Sequence, residues 1–295
     1  MFKTALHSVS YAGVWQGQAR LPLADFLAKA RGLGYDAVML MAKRPHLAPL
    51  DYDADACREL RARLGDLGLQ VACLAGYTDF CLGLDRPDIP TREMQVLYVR
   101  ELSRMARALD CPLIRVFTGY DDQKTPLDQQ WNLCVTHLKE CARQAASFGV
   151  TIGIQNHHDT AVHFDSLLDL VQEIDEPNCK VMFDAWAPAL HGMDPVEGVR
   201  KLAAYIVHTT VAEYVRRPRF RYHPPLVNYS REPDAIRAVP MGEGFIDYRR
   251  FFAALQEANY QGHVAYEMCS PLRGGGGEAN LDRCARAFVE YMRTA

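Results

Sequence analysis

The chain has 295 residues, 49% of them hydrophobic, enough for a large core and within the length that α/β barrels occupy as one domain. Lys and Arg number 33 against 36 Asp and Glu, a formal net charge of -3, so no global positive field draws the protein to nucleic acid or anionic lipid. The nine cysteines form no CxxC pair, Met1–Ala12 has no long apolar stretch of signal-peptide type, and no run approaches the roughly 18 apolar residues of a membrane span; these features predict a soluble cytoplasmic protein with buried thiols.

From the N-terminus, short β-rich apolar runs alternate with longer segments of helical period. The order predicts strand Lys3–Tyr11, helix Leu23–Leu33, strand Asp36–Ala42, helix Ala54–Leu67, strand Gln70–Tyr77 and helix Arg92–Leu109. Strand Pro112–Gly119, helix Leu127–Phe148, strand Val150–His157, helix Asp165–Ile174, strand Cys179–Trp186 and helix Pro195–Ala204 follow. Strand Ile206–Tyr214, helix Tyr248–Asn259, strand Gly262–Cys269 and helix Asn280–Arg293 complete eight units. Gly34, Gly68 and Gly149 follow the last apolar position of a helix, where a left-handed cap is wanted. Asp247 stands as an N-cap before Tyr248, Phe251, Phe252 and Leu255, which share one helical face. Eight successive units without a Pro/Ser-rich linker predict an α/β fold, a single (β/α)8 TIM barrel over residues 1–295.

One connection is too long for a turn. Val215 to Ile246 runs to roughly five times the median loop length, and its Arg216, Arg217, Phe220, Arg221, Tyr222, His223 and Tyr229 are too aromatic for disorder. An ordered, lid-like insertion over about 215–246 is expected after the seventh strand.

In such a barrel the active site lies at the C-terminal strand ends. Strand five ends in Gln155, Asn156, His157 and His158, with Gln155 and His157 on one face by the alternation of a strand. Strand six ends at Asp184, strand seven carries His208 within "YIVHTTVAEY", and strand eight reads "HVAYEMCS" with Glu267. Four neighbouring strands thus offer Gln155, Asp184, His208 and Glu267 at similar depth. Carboxylates flanked by Met182, Phe183, Tyr266 and Met268 need a partner, either an Arg or His across the mouth or, for the set together, one divalent metal ion. An amide, an imidazole and two carboxylates without thiolate put manganese first, with cobalt, magnesium, iron or zinc as alternatives. Cys269 is read as core.

These motifs, with the "GEGFID" segment Gly242 to Asp247 and "YE" at Tyr266 and Glu267, resemble the xylose isomerase-like TIM-barrel superfamily over essentially the whole chain. That superfamily includes tagatose/psicose-type 3-epimerases, inosose dehydratase, 3-dehydroshikimate dehydratase and the endonuclease IV group. The resemblance implies proton abstraction next to a carbonyl through an enediolate, with the metal polarising the carbonyl oxygen. Gln155 stands where the family usually has Glu; an amide oxygen can coordinate a cation but takes no proton at neutral pH. His157 is then the expected base, as a His at the matching place is thought to be in the 3-dehydroshikimate dehydratase branch, and Glu267 a second proton-transfer group as well as a ligand. A sugar isomerase or epimerase is the leading expectation, and a lyase or dehydratase on a keto-sugar or keto-polyol the alternative.

For the small-molecule carbohydrate substrate the expected binding residues are His7, Tyr77, Arg115, His158, Trp186, Tyr214 and Arg217, with Lys43 nearby. The loop Ser270 to Glu278 reads as an anion cradle or a flexible connector. An endonuclease IV-like repair enzyme needs many more histidines than strands two and three supply, and a sugar-binding barrel without activity is the non-enzymatic alternative. No nucleic acid and no membrane are expected as partners, and a homo-oligomer is possible in such a barrel.

Overall fold

Parallel strands buried on both faces read as continuous apolar runs, and that is what the chain supplies. The computed structural model describes residues 2–294. The barrel strands are β1 (Lys3–His7), β2 (Ala37–Met41), β3 (Gln70–Ala75), β4 (Leu113–Val116), β5 (Thr151–Gln155), β6 (Cys179–Met182) and β7 (Ile206–Val211). After the inserted strands β8 (Glu213–His223) and β9 (Asn228–Val239), β10 (His263–Tyr266) is the eighth stave. All eight pair in parallel with their neighbours in sequence, and β10 closes the ring against β1, with Lys3 opposite His263 and Leu6 opposite Tyr266. This is the TIM barrel that the alternation predicts.

Helices α1 (Leu23–Gly32), α2 (Ala54–Leu67), α3 (Thr91–Ala108), α4 (Leu127–Ala146), α5 (Phe164–Ile174), α6 (Trp186–Leu190), α7 (Pro195–Leu202), α8 (Tyr248–Glu257) and α9 (Glu278–Thr294) flank the strands. Their apolar faces pack on the outward strand residues Val38, Leu40, Leu74, Ile114, Ile152, Ile154 and Val264. Inside, Ala5, Met39, Cys73, Leu113, Met182 and Ala265 form a separate plug, the packed interior that makes such a barrel a core and not a pore. Asp53 and Asp247 cap α2 and α8 as acceptors of backbone N–H groups, and Gly68 ends α2 at φ 63, a left-handed conformation that glycine adopts without a Cβ clash.

The strands are shorter than the apolar runs. Ser8–Tyr11 turns into a 3-10 segment, His157 lies beyond β5, and Asp184 lies beyond β6 just before α6 starts at Trp186. In each case side chains replace the ladder: His7 Nδ1 accepts the Val9 N–H, and Asn156 bonds the Asp184 backbone both ways, at 2.9 and 2.7 Å.

The insertion is ordered, as its aromatics predict, but its form is a β-hairpin. β8 and β9 are antiparallel with Tyr222 opposite Tyr229, and the register shifts between Arg217 and Arg219, where Pro218 has no N–H to give the ladder. No helix among the described residues is long and apolar enough to cross a membrane. The cysteines are free, and all but Cys269 are buried.

Candidate active site

At the C-terminal ends of the strands lies a cavity of about 240 Å³ lined by His7, Lys43, Tyr77, Arg115, Phe117, Tyr120, Gln155, His157, His158, Glu267 and Cys269, with Val9 and Val14 at its edge. Larger hollows exist elsewhere, about 470 Å³ near Arg61 and His263 and about 760 Å³ between Ala48 and Tyr98. The first lies by Gln70 and His263, where β3 and β10 begin, away from the C-terminal strand ends, and the second is mainly apolar.

Its floor is a chain of side-chain hydrogen bonds across three strands. Arg115 Nη1 donates to Gln155 Oε1 at 2.8 Å, and the Gln155 Nε2 donates to Asp184 Oδ2 and, at 3.3 Å, to Thr210 Oγ1. Thr210 gives Asp184 two more bonds, from its backbone N–H to Oδ1 at 2.8 Å and from its hydroxyl to Oδ2 at 2.7 Å. The guanidinium has only donors and the carboxylate only acceptors, so the amide of Gln155 can face one way. Burial pushes the Asp184 carboxyl up to about 6, opposed by its bonds from Thr210 and Gln155 and by the Arg115 charge.

The metal-binding expectation fails a test of donor chemistry here. Each oxygen of Asp184 already accepts a hydrogen bond, Oδ2 two of them, and the Gln155 group facing it carries hydrogens, not a lone pair. His208 Nε2 is buried without a hydrogen-bond partner; burial, then His263 and Arg115, push that imidazole down to about 3, so the ring is neutral. No group of three or more His, Cys, Asp or Glu among the described residues is placed to hold a metal ion. As they stand, Gln155, Asp184, His208 and Glu267 do not gather into one ligand set; Thr210, not among the residues expected from the sequence, is bonded to Asp184 through its N–H and its hydroxyl.

Glu267 stands apart from this network. It is 8% exposed, it accepts a weak bond from Cys269 Sγ at 3.7 Å, and burial followed by the Asp184 charge pushes its carboxyl up to about 7. Arg115 is buried, with its guanidinium 3.8 Å from the Phe117 ring and 4.8 Å from the Tyr77 ring. Its Nε and Nη2 have no hydrogen-bond partner.

His157 sits where the sequence places it, between Phe117 and Trp186. Its Nδ1 accepts the backbone N–H of His158 at 2.8 Å, which leaves the proton of the neutral ring on Nε2. Burial and then Arg115 push it down to about 4, so at neutral pH it is a hydrogen-bond donor whose acceptor nitrogen is engaged by the His158 N–H. His158, at φ 62, lies between Phe117 and Tyr120 with ring centroids 4.1 and 4.0 Å away. Lys43, its pKa lowered by part burial and then by Arg115, covers the Tyr77 ring at 3.8 Å.

Of the residues expected to bind substrate, His7, Tyr77, Arg115 and His158 line the cavity. Trp186 and Tyr214 form a wall behind His157. Arg217 does not join them: it is exposed on the hairpin, bonded to the Arg216 carbonyl. The loop Ser270 to Glu278 packs Gly276 against Gly17 and Gln18 and lines no part of the cavity. Cys269, taken from the sequence as core, is a lining residue.

A buried carboxyl that the sequence reading passed over, Glu213, explains the glycine-rich segment before α8. It accepts N–H bonds from Tyr214, Gly242 and Ile246 at 3.2 to 3.4 Å, and a Cβ on Gly244 would strike its Oε1. Burial pushes it up to about 7 against those bonds.

A family model described as "Xylose isomerase-like TIM barrel" matches residues 27–290. A 3-dehydroshikimate dehydratase of Bacillus anthracis is 22% identical over 204 residues, covering 69% of this chain and 70% of that one. An inosose dehydratase of Geobacillus kaustophilus is 27% identical over 148 residues, 48% of this chain and 46% of its own, so the chain spans about half the length of that relative. Among solved structures, a D-psicose 3-epimerase from Clostridium cellulolyticum superposes with a TM-score of 0.76 at 20% identity, over 99% of this chain and 98% of that one.

Proposed function

The chain belongs to the xylose isomerase-like TIM barrel family, and from that premise we propose that it is a lyase that removes water from a small polyhydroxylated ketone. The proton next to the carbonyl is taken first. The observation that carries this reading is that Glu267 is the one carboxyl group lining the cavity among the described residues, facing a space whose other polar groups are chiefly donors.

A carboxyl near 7 is a base matched to neutral pH. After taking the proton it can return it to the hydroxyl leaving from the neighbouring carbon, so a single group serves both halves of an elimination. Lys43 and the Nε2–H of His157 suit hydroxyl oxygens, and Tyr77, Phe117 and Trp186 supply rings for the sugar's apolar face. The two dehydratases among the relatives support the same class.

Epimerisation is the second reading, favoured by Lys43, which lines the same cavity and could return the proton to another face. Incubation with inosose, 3-dehydroshikimate, D-psicose and D-tagatose in D₂O, read by NMR, separates the two. Loss of water with a new enone supports the lyase; deuterium at an inverted centre supports the epimerase. Neither product nor exchange in any of them sinks both readings.

A further inference from the structure

Resting on the proton-abstraction reading, we propose that the chain works without a divalent cation and that Arg115 takes the cation's role, binding the oxygen on which charge develops. The argument begins with charge. Proton abstraction by Glu267 sends the electron pair of the C–H bond onto the carbonyl oxygen, and some group must receive that negative charge. Asp184, the carboxylate that would hold a metal, instead faces hydrogen-bond donors on Oδ2, the Gln155 amide N–H and the Thr210 hydroxyl.

Two positive groups line the cavity, Lys43 over the Tyr77 ring and Arg115, and Arg115 is the buried one with donors to spare. One of its N–H groups is anchored on Gln155 at 2.8 Å, while Nε and Nη2 are buried and unpartnered. A buried guanidinium with idle donors is costly unless a ligand satisfies them. Its plane is held against Phe117 and Tyr77, so the two donors are preorganised and need no rearrangement as charge builds. The Gln155 amide relays the anchor to Asp184, which fixes the guanidinium as a metal ligand set would fix a cation.

The enediolate then holds two hydrogen bonds from Arg115. Its collapse reforms the carbonyl, breaks the bond to the neighbouring hydroxyl, and releases water on return of the Glu267 proton, so atoms and electrons balance without a co-reactant.

The experiment is a Mn²⁺ titration of the full chain followed by electron paramagnetic resonance, run beside deuterium exchange after chelator treatment. The expected result is a free Mn²⁺ signal undiminished by the protein and exchange undiminished by the chelator. Arg115→Ala should lose about 10²–10³-fold in rate, on the scale of an oxyanion donor, and added guanidinium should restore part of it. Gln155→Glu, which puts a second carboxylate against Asp184, should acquire Mn²⁺ binding. Uptake of about one Mn²⁺ per wild-type chain, with exchange lost on chelation and regained on its return, overturns the inference and leaves the proton-abstraction reading standing. Failure of Gln155→Glu to gain the ion overturns the assignment of the amide as what closes the site. Exchange absent from every ketone, with and without metal, removes both the reading and the inference.

Discussion

In the proposed mechanism the base is Glu267 and not His157, the base expected from the sequence, and the reason is which lone pair is free. The imidazole has spent its acceptor nitrogen on the His158 amide, whereas the carboxyl of Glu267 keeps its oxygens toward the cavity with only a thiol beside them. Glu267→Gln is therefore expected to lower the exchange rate about 10²–10⁴-fold, the usual loss with a positioned base. The base acts ionised, so the wild-type rate rises as pH climbs through about 7, and a pH profile of the variant's residual rate should be flat there. His157→Gln keeps an N–H in the same region, and steady-state kinetics should show a loss of less than about 10-fold; a loss on the scale of Glu267→Gln would return the base to His157. Legibility at this scale was uneven. Donor types at strand ends pointed to Asp184, Gln155, His157 and Glu267 as residues gathered at the mouth, but whether Gln155 turns its oxygen or its hydrogens inward depends on Arg115 and Thr210, 40 and 55 residues away.

Elements show the same division between local pattern and distant partner. Apolar runs and helix caps marked all eight barrel strands, because each run must bury both faces and each cap is a matter of a few residues. The hairpin was legible as order but not as strands: most of its side chains are exposed on both faces, so no apolar alternation marks it, and its turn at Pro224–Leu226 is not one of the two-residue hairpin signals. Glu213 escaped notice inside an apolar run, although a carboxylate followed downstream by "GEGFID" was the available signal. Its cradle has a measurable cost. With its carboxyl raised from 4.5 to about 7 in the fold, the native state holds the proton more tightly than the unfolded chain. The stability this gives is complete below about 4.5 and falls as pH rises to about 7, by about 3 kcal/mol. Urea unfolding of Glu213→Gln, which has no proton to lose, should show a pH dependence shallower by about that amount over this window.

For the molecule as a whole, the barrel and the hairpin are separable in energy. The hairpin's strand pairing is internal to it, and from Arg216 to Arg237 most side chains face solvent, whereas Ala238 and Val239 at its root are buried and Ala238 bridges to Leu272. Excising residues 217–236 with a short turn in their place should leave the barrel folded, with a thermal midpoint within about 4 °C of the parent, the shift expected from roughly 1 kcal/mol; collapse of the fold would show that the hairpin braces the mouth. The ring itself imposes an order of assembly. Its seam joins Lys3–Leu6 to His263–Tyr266, so a ribosome must deliver nearly the entire chain before the first strand meets its last neighbour. Until then β1 and β7 present bare edges, templates for pairing with another nascent chain. The seam strand also leads directly into Glu267, so the carboxyl that lines the cavity and the final stave arrive together, and the newborn protein is most exposed to aggregation just before its cavity is complete.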